Sequence, residues 1–376
     1  MTTPQPTTSL DPDPEPGPEA GSASGPEAGS ERYDALRRQL DTLTTEAFRS
    51  ELAEIDRLPT LEIARIMNGE DSTVPTAVAA RLPQIAAAID AIAARMARGG
   101  RLLYAGAGTA GRLGVLDASE CPPTFNTAPG QVTGVIAGGP GAMVTSVEGA
   151  EDSAETAAAD LDALGLSADD SVVGISASGR TPYAVGAVTH ARARGALTVG
   201  LACNEGSALA AAAEHGIEVV VGPELLTGST RLKAGTAQKL VLNMLSTITM
   251  IRLGKTYGNL MVDLRASNEK LRARSRRIVA LATGAPDDEI ETALAATDGE
   301  VKAAILTLLG GVDGPTAERL LAASHGHLRA ALAAATDASG TSGTSGTSGT
   351  SSTSDAPSTS DASSASGASD TSDRDA

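Results

Sequence analysis

The chain has 376 residues, a formal net charge of −17 at pH 7, 41% hydrophobic residues and 2% aromatic residues. Residues 1–30 and 337–376 contribute −5 each, which leaves a mildly acidic middle that argues against a nucleic-acid-binding surface. Two cysteines, Cys121 and Cys203, do not make a disulfide framework, so we expect a reducing compartment, the cytoplasm.

The two ends of the chain are predicted to be disordered tails. Residues 1–30 hold almost no large apolar side chain, and residues 337–376 include "SGTSGTSGTSGTSST". Such segments bury too little apolar surface to offset the entropy that is lost on ordering. The first residues also lack the basic and apolar regions of a signal peptide, and no apolar run is long enough to span a bilayer, so we expect no membrane partner.

The first part of the folded region is predicted to be helical. Residues 31–67 have a helical pattern with a break at Pro59-Thr60, and "MNGEDSTVP" is typical of a turn. The next segment stops at Gly99-Gly100, and its apolar residues recur at helical spacing: Leu82, Ile85, Ile89, Ile92 and Met96.

Five short apolar runs then indicate a parallel sheet. They are "RLLYAG", "QVTGVIAG", "SVVGISAS", "ALTVGLAC" and "GIEVVVG", and helical patterns separate several of them. This alternation is typical of an α/β fold with helices flanking the sheet. Residues 230–254 follow as a long predicted helix with a strong apolar face.

After Arg277 the strand pattern stops. Two imperfect copies of one unit follow, and each has an amphipathic helix, a glycine and an Ala/Leu-rich helix. The pattern resembles the small helical bundle of the ubiquitin-associated type. We therefore divide the folded part into an α/β domain over residues 31–276 and a small helical domain over residues 277–336.

The first strand run ends in a glycine-rich turn with two interpretations. Gly106, Gly108 and Gly111 satisfy the G-x-G-x-x-G pattern of dinucleotide-binding proteins. That function also needs an acid at the end of the second strand, but "QVTGVIAG" continues into "GPGAM", and Asp117 and Glu120 come too early. We therefore favour a loop that binds another phosphate.

The third strand run continues into "SASGRTP", residues 176–182, which predicts an anion site. Ser176, Ser178 and Thr181 offer hydroxyl groups, Gly179 allows a tight turn, and Pro182 suits the first position of a helix. The backbone N–H groups and the dipole of a helix N-terminus favour an anion such as a sugar phosphate. The alternative is that these hydroxyl groups only cap the helix.

Five motifs in order give the chain a family resemblance. They are "GAGTAGRLGVLDASECPPTF", "VEGAEDS", "ASGRTPY", "TGSTRLKAGTAQKLVLNMLST" and "GNLMVDLRASNEKL". They closely resemble N-acetylmuramic acid 6-phosphate etherases of the sugar isomerase (SIS) superfamily, to which the glucokinase regulatory protein is related. The resemblance runs from about Ala53 to Leu328 and implies an SIS-type three-layer αβα fold with a mostly parallel sheet and a helical C-terminal domain.

The resemblance implies a lyase that releases D-lactate from C3 of N-acetylmuramic acid 6-phosphate, without a metal or other cofactor. Matching the motifs places the two functional glutamates at Glu120 and Glu151, and we expect both to reach the carboxyl edge of the sheet. We assign Glu151 as the base at C2 and Glu120 as the acid for the leaving lactate, with the reverse assignment left open. The reason is that Cys121, Pro122 and Pro123 predict an apolar, rigid setting for Glu120.

The same match predicts the residues that bind the substrate and its phosphate: Gly108, Thr109, Ser176, Ser178, Gly179, Arg180, Thr181, Arg231 and Lys233. Arg231 and Lys233 could instead line a subunit interface. The chain departs from the family at Ala110, where a serine is usual. It also keeps Thr45 and Glu46 but lacks the asparagine that usually follows them.

Other functions remain open at this stage. A regulator that only binds a sugar phosphate would need both loops but neither glutamate, and an aldose–ketose isomerase would use the same fold without an ether. Cys121 is interpreted as a structural thiol, and the four histidines show no metal-ligand spacing. We expect a small-molecule sugar phosphate as ligand and a second copy of the chain as partner, with the helix over residues 230–254 as a candidate interface.

Overall fold

The computed structural model describes residues 34, 37–38, 40, 42–264 and 269–340. Residues 42–58, here called the arm, form three short 3-10 turns, Thr44–Glu46, Ser50–Leu52 and Ile55–Arg57, so the predicted helix is wrong there. Phe48, Leu52 and Ile55 of the arm recur at helical spacing, but Phe48 is 73% exposed, and the arm is held through individual hydrogen bonds instead. The predicted N-terminal tail lies outside the described residues.

Three helices precede the sheet: α1 (Thr60–Asp71), α2 (Val74–Ala79) and α3 (Leu82–Met96). Pro59 directly precedes α1, which confirms the predicted break. The predicted turn over "MNGEDSTVP" is too long, because α1 continues to Asp71. In α3 the isoleucines at 85, 89 and 92 are buried, as their spacing predicts.

The five predicted strands form one parallel sheet in the order β2-β1-β3-β4-β5. They are β1 (Leu102–Gly106), β2 (Val132–Ile136), β3 (Ser171–Ile175), β4 (Leu197–Ala202) and β5 (His215–Glu218). The connecting helices are α4 (Gly108–Phe125), α5 (Ala154–Ala163), α6 (Pro182–Ala193) and α7 (Ala208–Ala212), and α8 (Lys233–Arg252) follows β5.

The sheet is covered on both faces. Leu102 and Tyr104 of β1 pack in a hydrophobic cluster with α2, α3, α4 and α8, whereas Leu103 and Ala105 pack in another with α5 and α6. Successive strand side chains point to opposite faces, so these two clusters are the two sides of a three-layer αβα fold. This confirms the predicted α/β class. The connection from β1 leads to β2 on one side, and the later strands are added on the other side of β1. In open parallel sheets, ligands bind at such a switch point, which here lies at the carboxyl ends of β1 and β3.

A short hairpin after α8 was not predicted. Its strands are β6 (Thr256–Tyr257) and β7 (Leu260–Met261), and they are joined by Gly258-Asn259. A two-residue glycine–asparagine loop between apolar residues is a recognised hairpin signal, so the sequence held the information.

From residue 269 to 340 the described chain is helical: α9 (Glu269–Thr283), α10 (Asp287–Ala296), α11 (Val301–Gly310), α12 (Gly314–Ala323) and α13 (Leu328–Gly340). These helices share a separate hydrophobic cluster with Val262 and Leu264. The boundary proposed at 276/277 falls inside α9. Helix α13 extends four residues into the predicted C-terminal tail, and residues 341–376 lie outside the described part.

Apolar and polar contacts both join the helical region to the chain after α8, since Tyr257, Leu260 and Met261 pack against its hydrophobic cluster. Lys302 of α11 and Lys255, just after α8, both bind Asp263 Oδ2, at 3.1 and 2.6 Å. The Arg329 guanidinium lies 4.8 Å from the centre of the Tyr257 ring. Within the described ranges, no single helix is long and apolar enough to cross a membrane; only α1–α2 taken together with α3, bent by 60°, meets the criteria of length and composition.

Candidate active site

The loop after β1 leaves a helix N-terminus open. Helix α4 starts directly against the end of β1: a Cβ at Gly111 would lie 2.6 Å from the carbonyl oxygen of Gly106. Gly108 has a φ of +53°, and Ala107, at the N-cap, provides no side-chain cap. The first N–H groups of α4 are therefore available to an anion, and Thr109 lies beside them.

The loop after β3 is organised around Ser176. Its buried hydroxyl group accepts a hydrogen bond from Gly179 N at 3.0 Å and lies 2.8 Å from the hydroxyl of Thr181 and 3.2 Å from that of Ser178. Thr181 makes no side-chain cap to α6. The hydroxyl groups thus form a hydrogen-bonded network inside the loop. They do not cap α6, so the capping alternative is wrong.

The two loops begin side by side. Strands β1 and β3 are hydrogen-bonded neighbours in which Gly106 is paired with Ile175, so both loops leave the same edge of the sheet. The fold thereby brings Gly108 and Thr109 next to the segment from Ser176 to Thr181. Their contact with a phosphate stays a prediction.

Glu151 lies beside the first loop. It is exposed in a 3-10 turn, Ala150–Asp152, and borders a cavity of about 250 Å³ together with Gly108 and Arg112. Sequence reasoning missed Arg112, whose Nε donates to the carbonyl of Met143 at 3.1 Å. Arg112 lies one turn into the helix that follows the glycine loop, and this position is the signal that could have identified it.

Glu120 lies elsewhere in the same chain. It is twelve residues after Gly108 on the uninterrupted α4, which places it roughly 18 Å further along the helix axis. It borders a different cavity of about 540 Å³, together with residues of α8 and of the hairpin, among them Asn243, Thr256 and Asn259. The expectation that Glu120 and Glu151 of one chain both reach the carboxyl edge of the sheet is therefore wrong for Glu120.

The local expectation for Glu120 is corrected in part. Pro122 and Pro123 lie inside α4, which ends at Phe125, so they do not form the turn that was predicted. Glu120 is exposed at a cavity whose lining is mostly apolar, with Phe125, Ile251 and Met261 among its residues, so the apolar part of the expectation agrees with the structure. Each proline lacks the N–H that would reach back four residues, so the carbonyl groups of Ala118 and Ser119 lose these donors, and the helix ends two residues after Pro123.

A buried polar network lies one turn before Glu120. The carboxylate of Asp117 accepts hydrogen bonds from Tyr104 Oη at 2.8 Å, Asn243 Nδ2 at 2.7 Å and Ser246 Oγ at 3.1 Å. Burial raises the pKa of Asp117, and burial together with the Asp117 charge raises the pKa of the Cys121 thiol to about 12. The network fixes α4 against β1 and α8, and the thiol is suited to packing and not to nucleophilic chemistry.

Lys233 is already engaged in an ion pair. Its buried ammonium lies 2.7 Å from Glu70 Oε2, and Arg49 of the arm lies 2.6 Å from Glu70 Oε1. Burial alone would raise the pKa of Glu70, but the hydrogen bonds from the two cations outweigh it and hold that pKa below its ordinary value. The predicted phosphate contact of Lys233 would have to compete with this pair, whereas Arg231 is exposed.

The arm crosses the carboxyl ends of the strands. Asn204, after β4, accepts hydrogen bonds from Thr44 N at 2.9 Å and Thr44 Oγ1 at 2.7 Å, and it donates to Thr45 Oγ1 at 3.2 Å. The same amide donates to the carbonyl of Ala177, inside the loop after β3, at 3.0 Å. Sequence reasoning missed Asn204, because no local pattern joins residues about 160 positions apart.

Comparison with known proteins gives matches over most of the chain. The family model of the glucokinase regulatory protein N-terminal SIS domain matches residues 84–192, and that of the SIS domain matches residues 150–248. The N-acetylmuramic acid 6-phosphate etherase of Streptomyces avermitilis is 84% identical over 81% of this chain and 97% of its own length. That of Rubrobacter xylanophilus is 62% identical over 79% of this chain and 98% of its own length.

Among solved structures, a phosphoheptose isomerase from Francisella tularensis matches with a TM-score of 0.40 and 21% identity, over 52% of this chain and 100% of its own. Within the part of the chain that the structure describes, no group of three or more His, Cys, Asp or Glu side chains is arranged to hold a metal ion.

Proposed function

Because the chain belongs to the N-acetylmuramic acid 6-phosphate etherases, we propose that it cleaves the D-lactyl ether of N-acetylmuramic acid 6-phosphate. The products are N-acetylglucosamine 6-phosphate and D-lactate. The observation that carries the proposal is the pair of phosphate loops on adjacent strands with the Glu151 carboxylate beside one of them. The two free, buried cysteines support a reducing compartment, the cytoplasm.

The reaction proceeds by elimination and not by displacement. Opening of the sugar ring makes C1 an aldehyde, which acidifies the proton at C2. Glu151 removes that proton, and lactate leaves from C3 while Glu120 protonates its oxygen. Water then adds to the unsaturated aldehyde at C3. Each of the two carboxyl groups is expected to contribute about 10²–10⁴-fold to the rate.

The position of Glu120 supports a site that is shared between two copies of the chain. One chain does not bring its own Glu120 to the carboxyl edge of its sheet, and we infer that a second copy supplies it. The same side of the molecule exposes apolar side chains that a partner would cover: Leu116 of α4 and Ile248 and Ile251 of α8 are 50%, 37% and 45% exposed. We therefore place the homodimer interface along α4 and α8.

One incubation in deuterated water tests the function and the two roles. The wild-type chain releases lactate from the phosphorylated substrate, whereas a binding regulator releases none and an isomerase forms a ketose. Glu120→Gln still exchanges the C2 proton for deuterium but releases almost no lactate, and Glu151→Gln loses both. Exchange that survives in Glu151→Gln and vanishes in Glu120→Gln reverses the assignment. A loss of lactate release below about tenfold in both variants contradicts the two-carboxylate mechanism.

A further inference from the structure

Glu46 of the arm is a half-buried carboxylate to which the reaction outlined above gives no role. Gly228 N donates to the carbonyl of Thr45 at 3.2 Å, and a Cβ at Gly228 would lie 2.5 Å from Glu46 Oε2. The φ of Gly228 is +75°, so both its conformation and the approach of this carboxylate call for glycine. The backbone N–H of Glu46 donates to the carbonyl of Leu43 at 3.1 Å, but within the described ranges its carboxylate has no hydrogen bond or ion pair. The backbone next to Glu46 is thus bound to Gly228, whereas the carboxylate oxygens remain available to a ligand.

The contacts of the arm place Glu46 beside the second phosphate loop. Thr44 and Thr45 are bound to Asn204, whose amide also donates to the carbonyl of Ala177 in that loop. Arg180 of the same loop donates to Thr42 Oγ1 at 3.2 Å. The residues directly before Glu46 are therefore bound to the segment after β4, to the loop after β3 and to the segment that precedes α8.

The covalent structure of a hexose 6-phosphate indicates which atoms lie near such a carboxylate. The phosphate is joined through O6 and C6 to C5, and C5 carries the ring oxygen O5, which is bonded to C1. O5 is therefore four bonds from phosphorus, whereas C3 is five bonds away by way of C4, and C2 and the C1 hydroxyl oxygen are each six bonds away. Ring opening must precede removal of the C2 proton, and it moves a proton from O1 to O5, which is general acid–base work.

We propose that Glu46 is the catalytic residue of ring opening, a step that rests on the proposed etherase function. The carboxylate removes the proton from O1, the C1=O double bond forms, and the C1–O5 bond breaks. The carboxylic acid then returns the proton to O5, so Glu46 ends the step ionised as it began, and no co-reactant is consumed. Glu151 acts afterwards, at C2.

The anomeric exchange of N-acetylglucosamine 6-phosphate isolates this step, because each exchange of anomers requires one ring opening. In a Glu151→Gln background the C2 proton stays in place, and two-dimensional exchange NMR measures the rate between the α and β anomers. We expect the Glu151→Gln protein to accelerate this exchange over buffer and the Glu46→Gln/Glu151→Gln protein to lose about 10²-fold of that acceleration. Glu54→Gln is the matched control, since Glu54 lies on the same arm and is exposed, and it should leave the acceleration unchanged.

The outcomes separate this proposal from the proposed function. If the double variant still accelerates anomer exchange as Glu151→Gln does, Glu46 is not the ring-opening group. If Glu151→Gln binds the sugar phosphate without accelerating exchange, the chain does not catalyse ring opening, and the proposal also fails. A wild-type chain that accelerates anomer exchange but releases no lactate contradicts the etherase function instead. Matching melting temperatures and Kd values for the sugar phosphate verify that Glu46→Gln leaves the arm in place.

Discussion

At the scale of the residue, Asp170 shows how one buried carboxylate organises the amino end of the sheet. It precedes β3 and is 1% exposed, and it accepts hydrogen bonds from Arg101 N, Nε and Nη2 at 2.7–3.0 Å and from Ser167 N at 2.9 Å. Burial opposes the charge, but these donors outweigh burial and hold the pKa of Asp170 below its ordinary value of 3.8. The ionised carboxylate therefore stabilises the folded chain.

Asp170→Ala should lower the free energy of unfolding at pH 7 by about 2–3 kcal/mol, somewhat less than for a fully buried pair because Arg101 is partly exposed. Since the folded pKa is depressed, this contribution is complete above the pKa of the unfolded chain. It is lost as the pH falls through the folded pKa. Urea denaturation of both proteins at pH 7 and below pH 3.8 measures the difference, and a gap that persists undiminished in acid contradicts the assignment.

At the scale of the element, the loop from Ser176 to Thr181 makes a separate prediction. The Ser178 hydroxyl accepts a hydrogen bond from Arg180 N at 3.2 Å and is half-buried, which leaves it able to donate to a phosphate. Ser178→Ala should weaken binding of the phosphorylated sugar by about 0.5–1.5 kcal/mol, the value of one hydrogen bond. Calorimetric titration measures the Kd, with the exposed Ser72→Ala as control. Equal binding of the phosphorylated and unphosphorylated sugars would refute the phosphate loops.

The elements were predictable where a local pattern determines them. The isoleucines of α3 and the five apolar strand runs have their expected structures, because burial of one helical face or of a whole strand leaves a periodic trace in the sequence. The arm also has apolar residues at helical spacing, but it does not form the predicted helix, and hydrogen bonds join it to Asn204 across about 160 residues. Proline is ordinarily a reason to end a helix, so Pro122 and Pro123 hid the continuation of α4.

The candidate site was predictable only in part, for the same reason. Residues that directly follow neighbouring strands, such as Gly108 and Ser176, meet at one edge of a parallel sheet. Glu120 also follows β1 in sequence, but three turns of helix carry it away from that edge. The order of residues along the chain shows that Glu120 belongs to the segment after β1. How far Glu120 lies from the loop depends on the length of α4, which the sequence did not reveal.

At the scale of the whole molecule, a site made from two copies predicts complementation. Glu120→Gln and Glu151→Gln should each be almost inactive alone. When the two are denatured together and refolded at equal amounts, half of the dimers are mixed, and each mixed dimer has one site with both glutamates and one with neither. We expect about a quarter of wild-type lactate release. A mixture that stays as inactive as its components shows that each site uses both glutamates of one chain. The control is mixing after folding without denaturant.

The separation of Gly108 and Glu120 along α4 also bears on inheritance if each site takes its two glutamates from different chains, as proposed above. In a cell with two versions of the gene, a chain that lacks Glu120 alone spoils one of the two sites of a mixed dimer and leaves the other intact. A chain that lacks both glutamates removes one of them from each site, so it silences its intact partner altogether. With equal amounts of the two chains, a single replacement would leave about half of the wild-type activity and the double replacement about a quarter, because half of the dimers are mixed.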